Sequence, residues 1–191
     1  MFDQPITVLA ITGSLRRDSY NRGLLRAAQE LAPAGVEVEV YDGWWDVPAF
    51  NEDLEDAPPA AVERMRARIA EADAILIATP EYNGAVPGGL KNAMDWASRP
   101  HGMAVLVGKA VAVVSASTTP FGAAWAGEQL RRALTLSGAQ VTERELAIAK
   151  VDERFDGDEL IDSDTRHELA DLVSEVAAMS AAEAAEGRVA A

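Results

Sequence analysis

Two segments of the chain concentrate side chains able to do chemistry. The first, Gly13-Ser14-Leu15-Arg16-Arg17-Asp18-Ser19-Tyr20-Asn21-Arg22, sets hydroxyls, an amide and arginines on a polar loop that runs into a helical pattern. A helix N-terminus leaves backbone N–H groups unpaired and carries the positive end of the helix dipole, so such a loop suits a bound phosphate. Four arginines stand against one aspartate between Arg16 and Arg26, a local charge of +3 on a chain of formal charge −14. The structural alternative is that Ser19 only caps the helix while the arginines solvate its face. The segment is not a dinucleotide fingerprint, because Leu15 and Asp18 stand where the later glycines belong. Nor is there a triphosphate loop, since Gly108-Lys109 is followed by Ala110 instead of a magnesium-binding hydroxyl. A monophosphate held by hydroxyls and arginine fits better.

The second segment is Pro80-Glu81-Tyr82-Asn83-Gly84-Ala85-Val86-Pro87-Gly88-Gly89-Leu90-Lys91-Asn92-Ala93-Met94-Asp95-Trp96. Glycines at 84, 88 and 89 permit close backbone approach to a planar ligand, and unpaired N–H and C=O groups can meet the edge of a heterocycle. Read as bare Gly-Pro punctuation, it is an ordinary loop. Lys91 and Asp95 also make a solvated helical pair at i, i+4, and Trp96 a core or interface anchor. Trp44, Trp45 and Phe50 form an aromatic loop that suits a subunit contact as well as a substrate.

Other chemistries are poorly served. The absence of cysteine removes disulfides, thiolate metal sites, iron–sulfur clusters and cysteine nucleophiles. The two histidines, His101 and His167, lie too far apart for metal-ligand spacing, and no metal is expected. A surface with 31 acidic against 17 basic residues repels nucleic acid and anionic lipid, so neither is an expected partner. Met1-Phe2-Asp3-Gln4-Pro5 lacks the basic start and apolar stretch of a secretory signal, which makes a cytoplasmic location the expectation.

The elements that must position the two segments follow from hydrophobic periodicity. At 191 residues, 49% hydrophobic and 25% charged, the chain has the balance of one soluble globular domain over 1–191, with about 180–191 as a frayed, alanine-rich tail. Ile6 to Ile11, Val36 to Val40, Ala74 to Ala78 and Ala110 to Val114 read as strands, and Val141 with Leu146 to Ile148 as a fifth. Helical spacing marks Asn21 to Leu31, Ala60 to Ala70, Leu90 to Trp96, Gly122 to Leu136 and a closing helix bearing Leu169, Leu172, Val173 and Val176. Residues 42 to 59 form a long irregular connection. The uncharged run Ala110 to Gly127 reaches membrane-span length, but its serines, threonines, proline and glycine make it a strand, a loop and a helix start.

This alternation argues for a parallel sheet covered on both faces, an α/β three-layer sandwich. For the flavodoxin-like strand order 2-1-3-4-5, ligands bind between strands one and three, beyond their carboxyl ends. The two chemically rich segments are the loops that follow those two strands.

Gly-Ser-Leu-Arg-x-x-Ser-x-Asn after strand one and Pro-Glu-Tyr-Asn-Gly-x-x-Pro-Gly-x-Leu-Lys-Asn-Ala-x-Asp-Trp after strand three resemble the NADPH-dependent FMN reductase family of flavodoxin-like quinone, azo and chromate reductases. The likeness covers about residues 6 to 150. It implies a five-stranded flavodoxin-like domain that binds FMN, with Ser14, Arg16, Ser19 and Asn21 at the phosphate. Pro80, Glu81, Tyr82, Asn83 and Gly84 are assigned to the isoalloxazine ring and ribityl chain. The loop after strand four, Ser115 to Ala123, matches more loosely, with Gly122-Ala123 where many relatives carry a glycine pair; Ser115, Ser117 and Thr118 are its flavin neighbours by resemblance.

The resemblance implies an NAD(P)H-dependent FMN oxidoreductase reducing quinones or similar electrophilic acceptors. The flavin carries the chemistry, so no catalytic side chain is assigned. NADPH or NADH and the acceptor use one flavin face in turn, in a ping-pong cycle. Its relatives are commonly dimers or tetramers, so a homodimer or homotetramer is expected. Two alternatives belong to other classes: a flavodoxin-like FMN electron carrier reduced by a partner protein, and a hydrolase or ligand-binding domain without flavin. Direct NADPH oxidation separates the first from the reductase, and a colourless protein indifferent to FMN would favour the second.

Overall fold

The computed structural model describes residues 4–189, with side chains described through Glu183. Strand β1 (Ile6–Thr12) leads through a polar loop to helix α1 (Tyr20–Leu31), then β2 (Val36–Val40). Helix α2 (Ala60–Glu71), β3 (Ala74–Thr79), α3 (Gly88–Ala97), β4 (Ala110–Ala116) and α4 (Ala124–Leu136) continue the alternation. The sheet is parallel in the order β2-β1-β3-β4-β5, the flavodoxin-like order expected.

The strand period of two sorts the core into two layers. Val8 and Ala10 of β1, with Leu76 and Val114, face α1 and the closing helix α5 (Ser163–Val189). Leu9, Ile11, Ile75, Ile77 and Val113 face α2, α3 and α4. On β2 the valines turn inward while Glu37 and Glu39 do not, as an edge strand requires; Glu39 is ion-paired with Arg68 of α2.

Four features depart from periodicity. The fifth strand is in two pieces, β5 (Gln140–Val141) and β6 (Leu146–Ile148), both paired with β4. Arg131 of α4 spans the break, donating to the carbonyls of Thr142 at 2.6 Å and Arg144 at 3.1 Å. Helix α4 begins at Ala124 instead of Gly122, because Gly122 and Ala123 both adopt positive φ of 60°. At Gly122 a Cβ would lie 2.9 Å from the backbone of Ala147 and Ile148, so only glycine fits there.

The connection 42–59 contains two short 3-10 turns, Gly43–Asp46 and Glu52–Leu54. It packs inward: Trp44 is 1% exposed in the layer of α2 and α3, with Trp45 stacked on it at 3.5 Å. A subunit or substrate surface expected of this aromatic loop is therefore core at Trp44. Trp96 is fully buried and donates its indole N–H to Pro48, and Lys91 pairs with Asp95 on the exposed face of α3.

After β6 the chain forms an unexpected hairpin, β7 (Phe155–Asp156) with β8 (Glu159–Leu160), which lies back against α1. Its strands are two residues long, too short to leave a period in the sequence. Helix α5 runs into the stretch expected to fray; residues 190 and 191 of that stretch lie outside the described residues. Among the described residues no helix is long and apolar enough to cross a membrane.

Candidate flavin site

The loops after β1, β3 and β4 meet at the carboxyl edge of the sheet, and glycine makes the first meeting possible. The Gly13 N–H donates to Ala78 at 2.7 Å, and a Cβ at Gly13 would lie 2.9 Å from Pro80 and 3.1 Å from Leu90. Asn21 ties the first loop to the third, its amide Nδ2 donating to the Ala116 carbonyl at 3.2 Å.

The first loop holds an unsatisfied donor set. Ser19 occupies the N-cap position of α1 with extended backbone, yet its side chain makes no capping hydrogen bond. Among the described residues, the N–H groups of Tyr20, Asn21 and Arg22 meet no protein acceptor. Ser14 and Ser19 are largely buried residues, 3% and 5% exposed. The Ser14 backbone N–H donates to Thr12 Oγ1, and the Ser14 hydroxyl oxygen accepts from the Arg16 N–H at 3.4 Å. Buried Asn21 keeps its Oδ1 without a partner. An uncapped helix start with open N–H groups is suited to an anionic phosphate.

The four arginines divide. Arg22 is bidentate to Asp42 at 2.6 and 2.9 Å, and that hydrogen-bonded carboxylate raises its pKa above the usual guanidinium value. Arg26 meets Asp158 at 3.3 Å. Arg16 and Arg17 have no carboxylate partner among the described residues. Arg16 is thus a cation in the first loop without a carboxylate partner, its guanidinium carbon 5.8 Å from the Tyr20 ring centroid.

The second loop turns on Asn83 and Gly84, with φ of 53° and 74°. Tyr82 and Ala85 exchange both backbone bonds at 3.0 and 3.1 Å, so the tip has the positive-φ backbone of an Asn-Gly hairpin turn. The N–H groups of Asn83 and Gly84 meet no protein acceptor among the described residues, and a Cβ at Gly84 would meet open space. Gly88 is equally open, whereas Gly89 makes room for Trp45 at 3.2 Å. Tyr82 is half exposed and Pro80 partly buried beside Gly13.

Three expected flavin neighbours have partners within the protein. The Glu81 carboxylate accepts from the Ala126 N–H at 3.1 Å, in the first turn of α4. Ser115 is buried and donates to the Gly122 carbonyl at 2.9 Å, fixing the third loop. The hydroxyls of Ser117 and Thr119 pair at 2.7 Å, while Thr118 is exposed and makes no side-chain hydrogen bond. Sequence reasoning missed Gln129, whose Oε1 accepts from the Val86 N–H at 2.8 Å and joins α4 to the ring loop; an exposed-face glutamine gives no local signal of such a role.

A doubly wound parallel sheet whose β1, β3 and β4 loops meet at one carboxyl edge is the flavodoxin-like arrangement, which places a ligand between β1 and β3. The model of the NADPH-dependent FMN reductase family matches residues 6–153, and the chain belongs to that family. It is an oxidoreductase with FMN as cofactor and NAD(P)H as electron donor. The chain is similar to a quinone reductase of Pseudomonas putida, with 45% identity over 132 residues, covering 69% of this chain and 70% of that protein. It is also similar to a 2-hydroxy-1,4-benzoquinone reductase of a Burkholderia species, with 35% identity over 91% of this chain and 95% of the relative. Among solved structures, the flavoenzyme NAD(P)H:(acceptor) oxidoreductase FerB of Paracoccus denitrificans superposes with a TM-score of 0.82 at 36% identity, covering 92% of this chain and 97% of that one.

Proposed function

We propose that this chain reduces quinones or similar electrophilic acceptors with electrons from NAD(P)H, in a ping-pong cycle at one flavin face. The observation that carries the reading is the open donor set of the first loop at the switch point of the sheet: among the described residues, three unpaired N–H groups, an arginine without a carboxylate partner and a Ser19 hydroxyl that makes no capping bond. Quinone as acceptor rests on likeness to the relatives named for it.

When bound, FMN supplies the hydride and electron chemistry. The residues of the chain bind and orient it. Ser14, Arg16 and Ser19 receive the phosphate together with Asn21, which offers its open backbone N–H while its side-chain amide holds Ala116. Pro80, Tyr82, Asn83 and Gly84 border the ring and ribityl chain, and Glu81 holds that border to α4. The open N–H groups of Asn83 and Gly84 are donors suited to negative charge on the ring edge. Ser117 and Thr118 line the third side, and Ser115 shapes it from behind. Leu15, Tyr82, Phe121 and Trp125 expose apolar surface at or beside the carboxyl ends of the strands, which supports a homo-oligomer with its subunit contact beside this edge.

Titrating stripped protein with FMN while following flavin absorbance and fluorescence tests the reading. One FMN per subunit and a yellow holoprotein are expected. A folded protein that leaves the flavin spectrum unchanged would overturn it.

A further inference from the structure

Resting on the FMN reading above, we propose that Tyr20 is a positioning residue that holds Arg16 for the cofactor phosphate, backed by Phe155 from the β7–β8 hairpin. The Arg16 guanidinium carbon lies 5.8 Å from the centroid of the Tyr20 ring, within cation–π range. Among the described residues Arg16 has no carboxylate to fix it, which leaves the Tyr20 ring as its side-chain anchor. Tyr20 in turn packs on Phe155, with ring centroids 5.3 Å apart.

The hairpin is held to α1 by two further contacts. A Cβ at Gly23 would lie 2.8 Å from Phe155, so glycine at that helical position admits the ring. Asp158 pairs with Arg26 one turn further along α1. Arg16, Ser19, Tyr20, Gly23 and Phe155 line one pocket of about 130 Å³. Phe155 lies beyond residues 6–153, the extent of the family match, yet it supports the loop that carries the phosphate chemistry. A long arginine side chain loses rotamer freedom when it engages a ligand, and a ring that pre-orders the guanidinium removes part of that cost.

The test is a double-mutant cycle read by FMN and riboflavin titration of the stripped protein, with thermal melts to verify folding. Tyr20→Leu should weaken FMN roughly two- to fivefold and leave riboflavin unchanged, because only FMN carries the phosphate. Tyr20→Phe keeps the ring and should bind FMN as the wild type does. In an Arg16→Ala background, Tyr20→Leu should have no further effect, since its influence passes through Arg16. Phe155→Leu should reproduce a smaller, FMN-selective loss. Equal losses for FMN and riboflavin, an undiminished loss in the Arg16→Ala background, or unchanged FMN affinity in Tyr20→Leu would each overturn the proposal. Failure of the wild type to bind FMN would instead overturn the functional reading and this proposal with it.

Discussion

Ser19 occupies a cap position without capping, and that single fact turns a common helix start into a donor site. The Ser19 hydroxyl makes no capping bond and three N–H groups meet no protein acceptor among the described residues, and a phosphate supplies several acceptor oxygens at once. Arg16 adds charge because no carboxylate neutralises it. Arg16→Ala should weaken FMN by about 1.5 to 3 kcal/mol, roughly tenfold to a hundredfold, while riboflavin affinity scarcely changes. Isothermal titration with both flavins measures this. Equal losses would show Arg16 acting through the fold or the ring. Glu81 is the contrasting residue: its carboxylate accepts from the first turn of α4 and so is already committed within the protein.

At the scale of elements, α5 is anchored by a cap that the sequence pattern left unremarked. Asp162 Oδ2 accepts from the Thr165 N–H at 2.9 Å and from its hydroxyl at 2.6 Å, and Oδ1 accepts from Arg154 at 2.8 Å. The Thr165 hydrogen bonds first, and then Arg154, hold the Asp162 carboxyl below its ordinary value of 3.8. The folded state therefore binds this proton less readily than the unfolded chain. The stabilisation is fully present above pH 3.8 and is lost as pH falls through the lower folded value. Asp162→Ala should cost about 1 kcal/mol near neutrality. Denaturant melts across acidic pH should show the gap to wild type closing below pH 3.8. A gap that persists at the acid end would assign the loss to packing instead. The split fifth strand depends similarly on Arg131, which answers carbonyls that a continuous strand would have paired.

For the whole molecule, the proposed ping-pong cycle has one flavin face serve electron donor and acceptor in turn. Initial rates against NAD(P)H at several quinone concentrations should give parallel double-reciprocal lines. Intersecting lines would mean that both substrates bind together. No protein group is required to titrate near neutrality. His101 and His167 are exposed and lie outside the three loops, with His167 Nδ1 2.8 Å from the Ser163 carbonyl on α5. His101→Ala and His167→Ala should therefore keep turnover within about threefold of wild type, a change of under 1 kcal/mol in the barrier. A large loss with intact FMN content would reveal an acid or base in one of them. Analytical ultracentrifugation checks the expected homo-oligomer.

Strand and helix identity were legible from residues 6 to 148 because apolar period is local: β-branched runs make buried strands, and spacing of three and four makes helices. The two loops stood out for the same reason, since glycine, proline and hydroxyl clusters are read within a few residues, and their places after β1 and β3 follow from element order. Tertiary structure alone decided which polar groups are taken up by partners within the protein and which stay open. Glu81 meets Ala126 across 45 residues, Asn21 meets Ala116 across 95, and Arg26 meets Asp158 across 132. A side chain takes its partner from whatever the fold brings within about 3 Å, and periodicity carries no record of that neighbour. The same limit hid the burial of Trp44, the break between β5 and β6, and the hairpin on α1, each fixed by distant segments packing together.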